Sequence, residues 1–260
     1  MILEWLFGAR RRLDIDVASV CEQGLVRRDN QDHFFISPDR TLFCVADGMG
    51  GGDGGAKASE IVCAHMTKVA ENAGSFPDMM KRASDEINEA NAEIRDYAAH
   101  RRWRQMGSTL AAIFIDPSSG NLGVACHVGD SRIYRVRSGN LELLTHDHTV
   151  AGEIGRRASC KTLTDELAHR MGALSHVLTR AVGIEDTVTP DWRKIDIRRG
   201  DVYMICSDGV YDMLESSAIC AALYGHDTSQ GAVDALSKGI LEAGAADNFT
   251  CIVIRIGGES

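Results

Sequence analysis

Short Asp-Gly and Gly-Asp steps beside apolar runs constrain this chain more than any other feature of its sequence. Asp47-Gly48 follows TLFCVA, Gly129-Asp130 follows LGVACHV, Asp208-Gly209 follows DVYMICS, and Asp247-Asn248 follows LEAGAA. If each run is a strand, the carboxylates lie where strands end, and side chains distant in sequence can meet at one end of a core. Carboxylates gathered in this way repel one another and have raised pKa values. Hard divalent cations with oxygen ligands remove that conflict, so the first hypothesis is a metal-dependent hydrolase.

The composition indicates a soluble globular protein. Of the 260 residues, 44% are hydrophobic and 25% are charged, and the chain is long enough to bury a sizeable core. The formal net charge of −9 argues against nucleic acid or an anionic membrane as the main partner. No apolar run approaches the roughly 18 residues of a membrane span. In MILEWLFGARRR the basic residues follow the apolar stretch, the wrong order for a secretory signal, so we expect a cytoplasmic protein.

The eight cysteines indicate small buried side chains in a reducing compartment rather than a disulfide framework. Most lie in apolar stretches, as Cys44 and Cys126 do, and they form no CxxC pair and no zinc-ligand spacing. His146 and His148 in LTHDHT suggest a metal site at first sight. A structural role is favoured for both, because no third nitrogen or sulfur ligand is nearby in the sequence.

Periodicity predicts a mixture of long helices and antiparallel strands within one domain, 1–260, since no repeat, low-complexity tract or linker divides the chain. Helical stripes predict helices over 53–70, from Pro77-Asp78 to about Tyr97, and over 215–223 and 229–243. The predicted strands are 107–115, 122–128, 133–136, 141–144, 195–197, 202–206 and 249–256.

Two turns are predicted to close hairpins, one at Ser138-Gly139-Asn140 and one at Arg199-Gly200-Asp201. Strands joined by hairpins, with helices grouped between them, favour an α+β fold with antiparallel sheets over a doubly wound parallel sheet. The polar region 151–171 has no clear periodicity and is predicted to be a mobile flap.

Eight segments together resemble the PP2C family of metal-dependent Ser/Thr protein phosphatases, in its bacterial branch. They are GLVRRDNQD (24–32), VADGMGG (45–51), GST (107–109), HVGDSRIYR (127–135), LTHDHT (144–149), LTRAVG (178–183), CSDGVYD (206–212) and DNFT (247–250). The resemblance spans about 14–256, the expected core of the domain. It implies a sandwich of two antiparallel β-sheets, each covered by a helix pair. It also implies that phosphorylated Ser/Thr proteins are the substrates, including a cognate Ser/Thr kinase or its substrates; we expect a monomer.

The resemblance further implies a centre for two Mg²⁺ or Mn²⁺ ions, with a weaker third. Asp47 would bridge the pair, and a hydroxide held between the ions would attack phosphorus directly, without a protein nucleophile. The matched ligands are Asp47, the Gly48 carbonyl, Asp208 and Asp247 for the pair, and Asp130 and Asp212 for the third ion.

Arg27 matches the family's phosphate-binding arginine, whose planar guanidinium can hold two phosphate oxygens. Asp32, five residues later, matches an acidic position that orients metal-bound water. Two positions depart from relatives. Gln31 stands where some have an acidic residue, and Met49 stands where eukaryotic relatives have a histidine proposed to protonate the leaving group. Another metal-bound water would have to serve as the acid.

Taken singly, these residues have ordinary alternatives. Asp47 and Asp208 are typical turn residues after a strand, and Asp130 could cap a tight turn by accepting backbone amides. Asp212 could be a solvated helix residue, and Arg27 could form a solvated pair with its neighbour. At the level of function, two alternatives stay open: a catalytically silent phosphoprotein-binding module, and a structural cation site in a scaffold or secreted binding protein.

Overall fold

The computed structural model describes residues 13–50, 54–72, 74–103, 105–116, 118–119, 121–157, 172 and 174–257. Within these residues the strands are β1 (Ile15–Glu22), β2 (Asp32–Ile36), β3 (Leu42–Gly50), β4 (Met106–Ser108), β5 (Leu110–Ile115), β6 (Leu122–Val128), β7 (Arg132–Arg137), β8 (Asn140–Leu143), β9 (Asp191–Asp196), β10 (Val202–Cys206) and β11 (Phe249–Ile256). The helices are α1 (Gly54–Glu71), α2 (Phe76–Arg101), α3 (Val150–Arg157), α4 (Asp208–Tyr211), α5 (Ser216–Tyr224) and α6 (Ser229–Glu242).

The strands form two antiparallel sheets. The order in the first sheet is β1-β11-β10-β7-β8, and in the second it is β2-β3-β5-β6-β9, with β4 paired to the end of β3. Because successive side chains of a strand point to opposite faces, β3 contributes to two apolar layers. Phe43 and Val45 lie between the sheets, while Leu42 and Cys44 pack under α1 and α2.

Three apolar layers hold the sandwich together. One lies between the second sheet and the pair α1 and α2, and another lies between the first sheet and the pair α5 and α6. The middle layer includes Ile252, Ile254 and Ile256, which the pattern in 249–256 placed on one face. The predicted sandwich of two antiparallel sheets flanked by helix pairs is therefore confirmed. In the part of the chain described, no helix is long and apolar enough to cross a membrane.

The predicted helices form at nearly the predicted positions. In α2 the Ser75 side chain accepts a hydrogen bond from the Asp78 amide, and the Asp78 carboxylate accepts one from the Ser75 amide. This capping box starts the helix at Phe76, one residue before the Pro77 signal. The predicted start of α1 at Asp53 lies outside the described residues.

One predicted hairpin is confirmed and the other is wrong. β7 and β8 pair directly across Ser138 and Gly139, which both have positive φ, as a two-residue hairpin turn requires. The strands on either side of Arg199-Gly200-Asp201 lie in different sheets, because β9 pairs with β6 while β10 pairs with β7 and β11. A tight turn fixes only a local reversal of the chain, and here the reversal carries the chain from one sheet to the other.

The apolar runs also end differently from the prediction. Asp130 and Asp208 follow β6 and β10 as expected, but β3 continues past Asp47 to Gly50 because β4 extends its pairing. LEAGAA contains the end of α6 rather than a strand, so Asp247 precedes β11. The predicted strand 107–115 divides into β4 and β5 at Thr109.

The region predicted as a flap, 151–171, is only partly described. Residues 150–157 form α3, although the sequence analysis found no clear periodicity in 151–171; Val150 and Ile154 lie one helical turn apart, but this single repeat is followed by polar residues. Thr149 precedes it and accepts a hydrogen bond from the Gly152 amide through its hydroxyl, the usual chemistry of a helix start. Residues 158–171 lie outside the described residues.

An ion pair between Asp201 and Arg137 holds the turn between the two sheets. Asp201 is buried and accepts two hydrogen bonds from Arg137, both at 2.6 Å, and one from the Tyr203 hydroxyl at 3.0 Å. Replacing Asp201 by Ala removes these hydrogen bonds and leaves the partly buried guanidinium of Arg137 with Asp196 as its remaining partner, so the free energy of unfolding should fall by about 2 kcal/mol. Urea unfolding measures this. The matched control is Glu60→Ala, which removes an exposed pair with Lys57 and should change the value by about 0.5 kcal/mol or less.

The pH dependence of this loss has a definite sign. Burial opposes the shift, but hydrogen bonds from Arg137 lower the pKa of Asp201. Its stabilisation is therefore present above the unfolded value of about 4 and is lost as the pH falls. The difference between the wild type and Asp201→Ala should shrink in acid; a difference that grew there would contradict the assignment.

Candidate metal centre and phosphate site

A cleft of about 850 Å³ opens where strand ends of both sheets meet. Four of the predicted ligands line it although they come from distant parts of the chain: Asp47, Asp130, Asp208 and Asp247. The predicted phosphate ligand, Arg27, lines the same cleft, as does Gly48. The structure thus brings these six residues together, whereas Asp32 and Asp212 do not line the cleft, and the individual roles of all eight stay predictions.

The backbone of Asp47 is fixed from both sides. Its amide donates to the Thr109 hydroxyl at 2.9 Å, and its carbonyl accepts from the Thr109 amide at 2.8 Å and the Ser108 hydroxyl at 3.1 Å. The next residue, Gly48, faces α1, where a methyl group would lie only 1.9 Å from the Gly55 carbonyl oxygen. The absence of a side chain at Gly48 therefore lets β3 approach the start of α1. Asp47, the preceding residue, lies on the opposite face of the strand and points to the cleft.

Asp208 comes to the same place from the other sheet. It is the first residue of α4, and its carboxyl group lies close to those of Asp47 and Asp247 at the end of the cleft. Carboxylates brought this close repel one another unless a proton or a cation lies between them.

Asp32 lies beneath the cleft rather than in its lining. It pairs with Asp47 across β2 and β3, is 3% exposed, and accepts a 2.7 Å hydrogen bond from the Ser207 hydroxyl. Burial raises the pKa of Asp32 to about 6, with repulsion from Asp208 contributing. This arrangement suits a residue that supports the acidic cluster from below.

The electrostatics of the cluster fit divalent cations. Burial, followed by repulsion from Asp32 and Asp208, raises the pKa of Asp47 well above its ordinary value. Burial and then repulsion from Asp208 raise the pKa of Asp130 to about 7, and burial and then Asp247 raise that of Asp208. Oxygen donors with an excess of negative charge are the donor set that Mg²⁺ and Mn²⁺ prefer. The residues present therefore fit the metal pair that the sequence implied.

Arg27 contacts the acidic cluster directly. Its Nη2 donates to Asp247 Oδ2 at 2.5 Å, and this hydrogen bond, with attraction to Asp247, Asp208 and Asp47, raises the pKa of the guanidinium. The arginine side chain is 58% exposed, so its remaining donors face the open cleft. A phosphate group bound there would find them within reach.

Asn248 holds the loop that carries Arg27, a role that sequence reasoning did not assign to it. Its side-chain oxygen accepts from the Gln31 amide, and its side-chain nitrogen donates to the carbonyls of Gln23 and Asp29. Gly24 brings the same loop against the chain beyond α6, since a methyl group there would lie 2.2 Å from the Asp247 carbonyl oxygen. Asp247 thus supplies one carboxylate of the cluster, and Asn248 positions Arg27 opposite it.

His176 is the second residue that sequence reasoning missed. Its Nδ1 lies 3.7 Å from Asp212 Oδ2, and ligand atoms of His176, Asp208 and Asp212 all lie within 4.8 Å of one another. Asp208 and Asp212 thus face the same direction, as their i, i+4 spacing predicted. Only proximity in the fold brings the histidine to them, so no local motif could have indicated it. Asp130 does not belong to this group of three.

A separate cluster joins the two histidines His127 and His148, stacked at 4.5 Å, to Asp191. His148 Nδ1 accepts from the Gly129 amide, so its proton is on Nε2, which faces Asp191 Oδ2 at 3.4 Å. Asp191 is already paired with Arg180 at 2.6 Å. A protonated Nε2 and a neighbouring guanidinium are unsuited to a cation, and the cluster fits the structural role favoured for His148.

Two antiparallel sheets that meet at a cleft lined by carboxylates, with a guanidinium beside them, are typical of one class of protein. This class is the metal-dependent phosphate-ester hydrolases. Residues 18–238 match the profile of one such family, described as Protein phosphatase 2C. The chain belongs to this protein phosphatase 2C family.

Named relatives agree with that membership. The chain is 26% identical to Protein phosphatase PhpP of Streptococcus pneumoniae, over 94% of this chain and 99% of PhpP. Among solved structures, it is similar to PppA, a regulatory component of the T6SS in Pseudomonas aeruginosa, with a TM-score of 0.82, 29% identity and coverage of 93% and 97% of the two chains. The catalytic domain of PstP in complex with two manganese ions gives a TM-score of 0.81 and 29% identity, over 95% of this chain and all of that one.

Cation-free protein should lose stability as the pH rises. The raised pKa values of Asp32, about 6, and Asp130, about 7, mean that the folded state holds protons that the unfolded chain releases near pH 4. That stabilisation is full below about pH 4 and is lost as the pH rises through about 7. With EDTA present, the free energy of unfolding should fall over this range by at least about 1.4 kcal/mol, the equivalent of one pKa unit.

Two controls accompany this measurement by urea unfolding. Mn²⁺ should restore the stability lost at the higher pH, and Asp130→Asn should reduce the slope in EDTA. If the variant in EDTA and the wild type with Mn²⁺ both kept the slope of the wild type in EDTA, the cluster would not be its source.

Arg27 and a divalent cation should compete for Asp247. Replacing Arg27 by Ala frees Asp247 Oδ2 and removes a positive charge, so Mn²⁺ should bind a few fold more tightly, as expected for a partly exposed ion pair. Isothermal titration of the purified protein measures the affinity. Arg28→Ala is the matched control, because it removes the same charge one residue away without touching Asp247. Equal affinities for the two variants would mean that the contact with Asp247 does not matter.

Proposed function

We propose that this protein is a Ser/Thr phosphoprotein phosphatase that depends on Mg²⁺ or Mn²⁺. One observation carries the proposal: carboxylates from both sheets converge on one cleft beside Arg27. Membership of the protein phosphatase 2C family supports the reaction class.

In this proposal the carboxylates hold the cations. The pair is held by Asp47, the Gly48 carbonyl, Asp208 and Asp247, and a third ion by Asp130 and Asp212. When bound, the two ions supply an activated water and neutralise the negative charge of the phosphate. Asp32, fixed by the Ser207 hydroxyl, keeps Asp47 in place from below.

Arg27 binds the phosphate. Its guanidinium donates to the Asp247 carboxylate in the structure, and it would exchange that carboxylate for two phosphate oxygens, whose charge and planar spacing are similar. Asn248 holds the loop that carries Arg27 in a fixed position during this exchange. The thioether of Met49 carries no proton, so the leaving serine or threonine oxygen takes its proton from another donor in the cleft, and a water molecule held there is the donor that we propose.

The wider setting of the protein is also part of the proposal. Phosphorylated Ser/Thr proteins are its substrates, including a cognate Ser/Thr kinase or the proteins that this kinase phosphorylates. It acts in the cytoplasm as a monomer, with 1–260 as a single domain, a core over 14–256, and a flap over 151–171 that shapes access to the cleft. PhpP and PstP, both named as protein phosphatases, support this reading.

Conservative substitution of the metal ligands tests the function. Asp47→Asn and Asp208→Asn keep the side-chain shape but remove a charge from the cation site, so kcat/KM for a phosphopeptide with Mn²⁺ should fall by about 10² to 10³. Phosphate release is the measurement. Asp234→Asn, on the exposed face of α6, should retain full activity.

The outcomes separate the alternatives. Full activity in Asp47→Asn or Asp208→Asn would reject the site assignment. A wild type that binds phosphopeptide and Mn²⁺ but never releases phosphate would establish the silent binding module instead.

A further inference from the structure

Met49 and Ile184 form an apolar surface in the cleft, which we call the Met49–Ile184 shelf. Met49 of β3 is paired with Gly107 of β4, and the next residue, Ser108, is bridged to Val182. Gly107 therefore lies between two neighbouring chain segments. A methyl group on it would be 3.1 Å from both Met49 Cε and Ile184 Cδ1. The two side chains meet above the glycine because nothing projects from it.

The shelf adjoins the acidic cluster. Residues 47 and 49 point to the same face of β3, about 6.6 Å apart, whereas Gly48 between them faces α1. Asp47, Met49 and Ile184 all line the cleft. The shelf therefore begins about two residues' length along the strand from the carboxylate predicted to bridge the cations.

The shelf is apolar and open to solvent. Ile184 is 39% exposed, and Val177, which lines the same cleft, is 47% exposed. The lining of the cleft contains acidic residues such as Glu185 and basic ones such as Arg180, but the side chains of Met49 and Ile184 offer no polar partner, so a charged side chain placed on the shelf would lose hydration without compensation. The shelf is therefore complementary to an aliphatic side chain.

We propose that the Met49–Ile184 shelf receives an aliphatic side chain of the substrate next to the phosphorylated residue. Consecutive Cα atoms are 3.8 Å apart, so a neighbour of the phosphoresidue reaches a surface that begins about 6.6 Å from Asp47. The protein accordingly selects phosphoproteins with Leu, Ile, Val or Met beside the phosphorylated position. This inference rests on the proposed function, since it requires a phosphorylated chain in the cleft.

Matched phosphopeptides test the shelf. Peptides of one length carry Leu, Ala or Glu on either side of the phosphoresidue, and p-nitrophenyl phosphate serves as a small substrate with no amino-acid residue beside its phosphate. With Mn²⁺ present, kcat/KM should decrease in the order Leu, Ala, Glu, with about tenfold between Leu and Glu for at least one side.

Variants assign the preference to the shelf. Ile184→Ser should lower kcat/KM for the Leu peptide about fivefold or more and leave p-nitrophenyl phosphate unchanged, while Ile184→Val should restore most of the preference. Leu241→Ser, an equally exposed aliphatic position on α6, is the control and should alter neither substrate.

The results separate the shelf from the phosphatase activity. Equal kcat/KM for Leu and Glu peptides, with p-nitrophenyl phosphate still hydrolysed, would overturn the shelf alone. Binding of the labelled peptides, followed by fluorescence anisotropy, tests it without turnover. Tighter binding of the Leu peptide that Ile184→Ser abolishes would support the shelf even if no phosphate were released, and that absence of release would overturn the proposed function instead.

Discussion

Repulsion among carboxylates buried at the end of the sandwich is the interaction on which the rest of the structure depends. The carboxyl groups of Asp47, Asp130 and Asp208 each have a raised pKa, and Arg27 pairs with the cluster through Asp247. A chain free to relax would separate such groups. The three apolar layers prevent that, because moving one carboxylate away would require moving a buried strand or helix. The packing of the core thus holds the carboxylates close together, and their combined negative charge attracts cations.

The cluster also depends on how the two sheets are positioned. Asp47 belongs to the second sheet, whereas Asp208 and Asp247 adjoin β10 and β11 of the first. The Ser207 hydroxyl links them, because it donates to Asp32 of β2 and accepts from the Thr250 amide of β11. A shift of one sheet over the other would therefore break this hydrogen bond and also move Asp47 away from Asp208 and Asp247. Fold and site cannot be altered independently at this edge.

Much of the fold was readable from the sequence, and two of the exceptions share one physical cause. The helices α1, α2, α5 and α6 were located by periodicity, β6 and β11 by alternation, and β7, β8 and β10 by their position beside turn residues, since all these signals are local, whereas β1, β2 and α3 were not predicted. The turn at Arg199-Gly200-Asp201 has the same chemistry whether it closes a hairpin or links two sheets, so its sequence could not predict the pairing. His176 meets Asp212 only through the fold, and no local pattern carries that information. The family resemblance supplied the site residues that spacing alone could not.

Because side chains alternate between the two faces of β3, its consecutive residues have different functions. Asp47 faces the cleft, Gly48 faces α1, where no side chain fits, and Met49 faces the cleft again. Packing therefore allows only glycine at position 48, and the acidic cluster requires a carboxylate at position 47. Neither constraint applies to position 49. A residue there can change what the cleft accepts, or how a leaving group is protonated, without disturbing the carboxylate two positions earlier. Methionine at this place adds apolar surface beside the acidic cluster, and Gly107 leaves room for Ile184 to extend it.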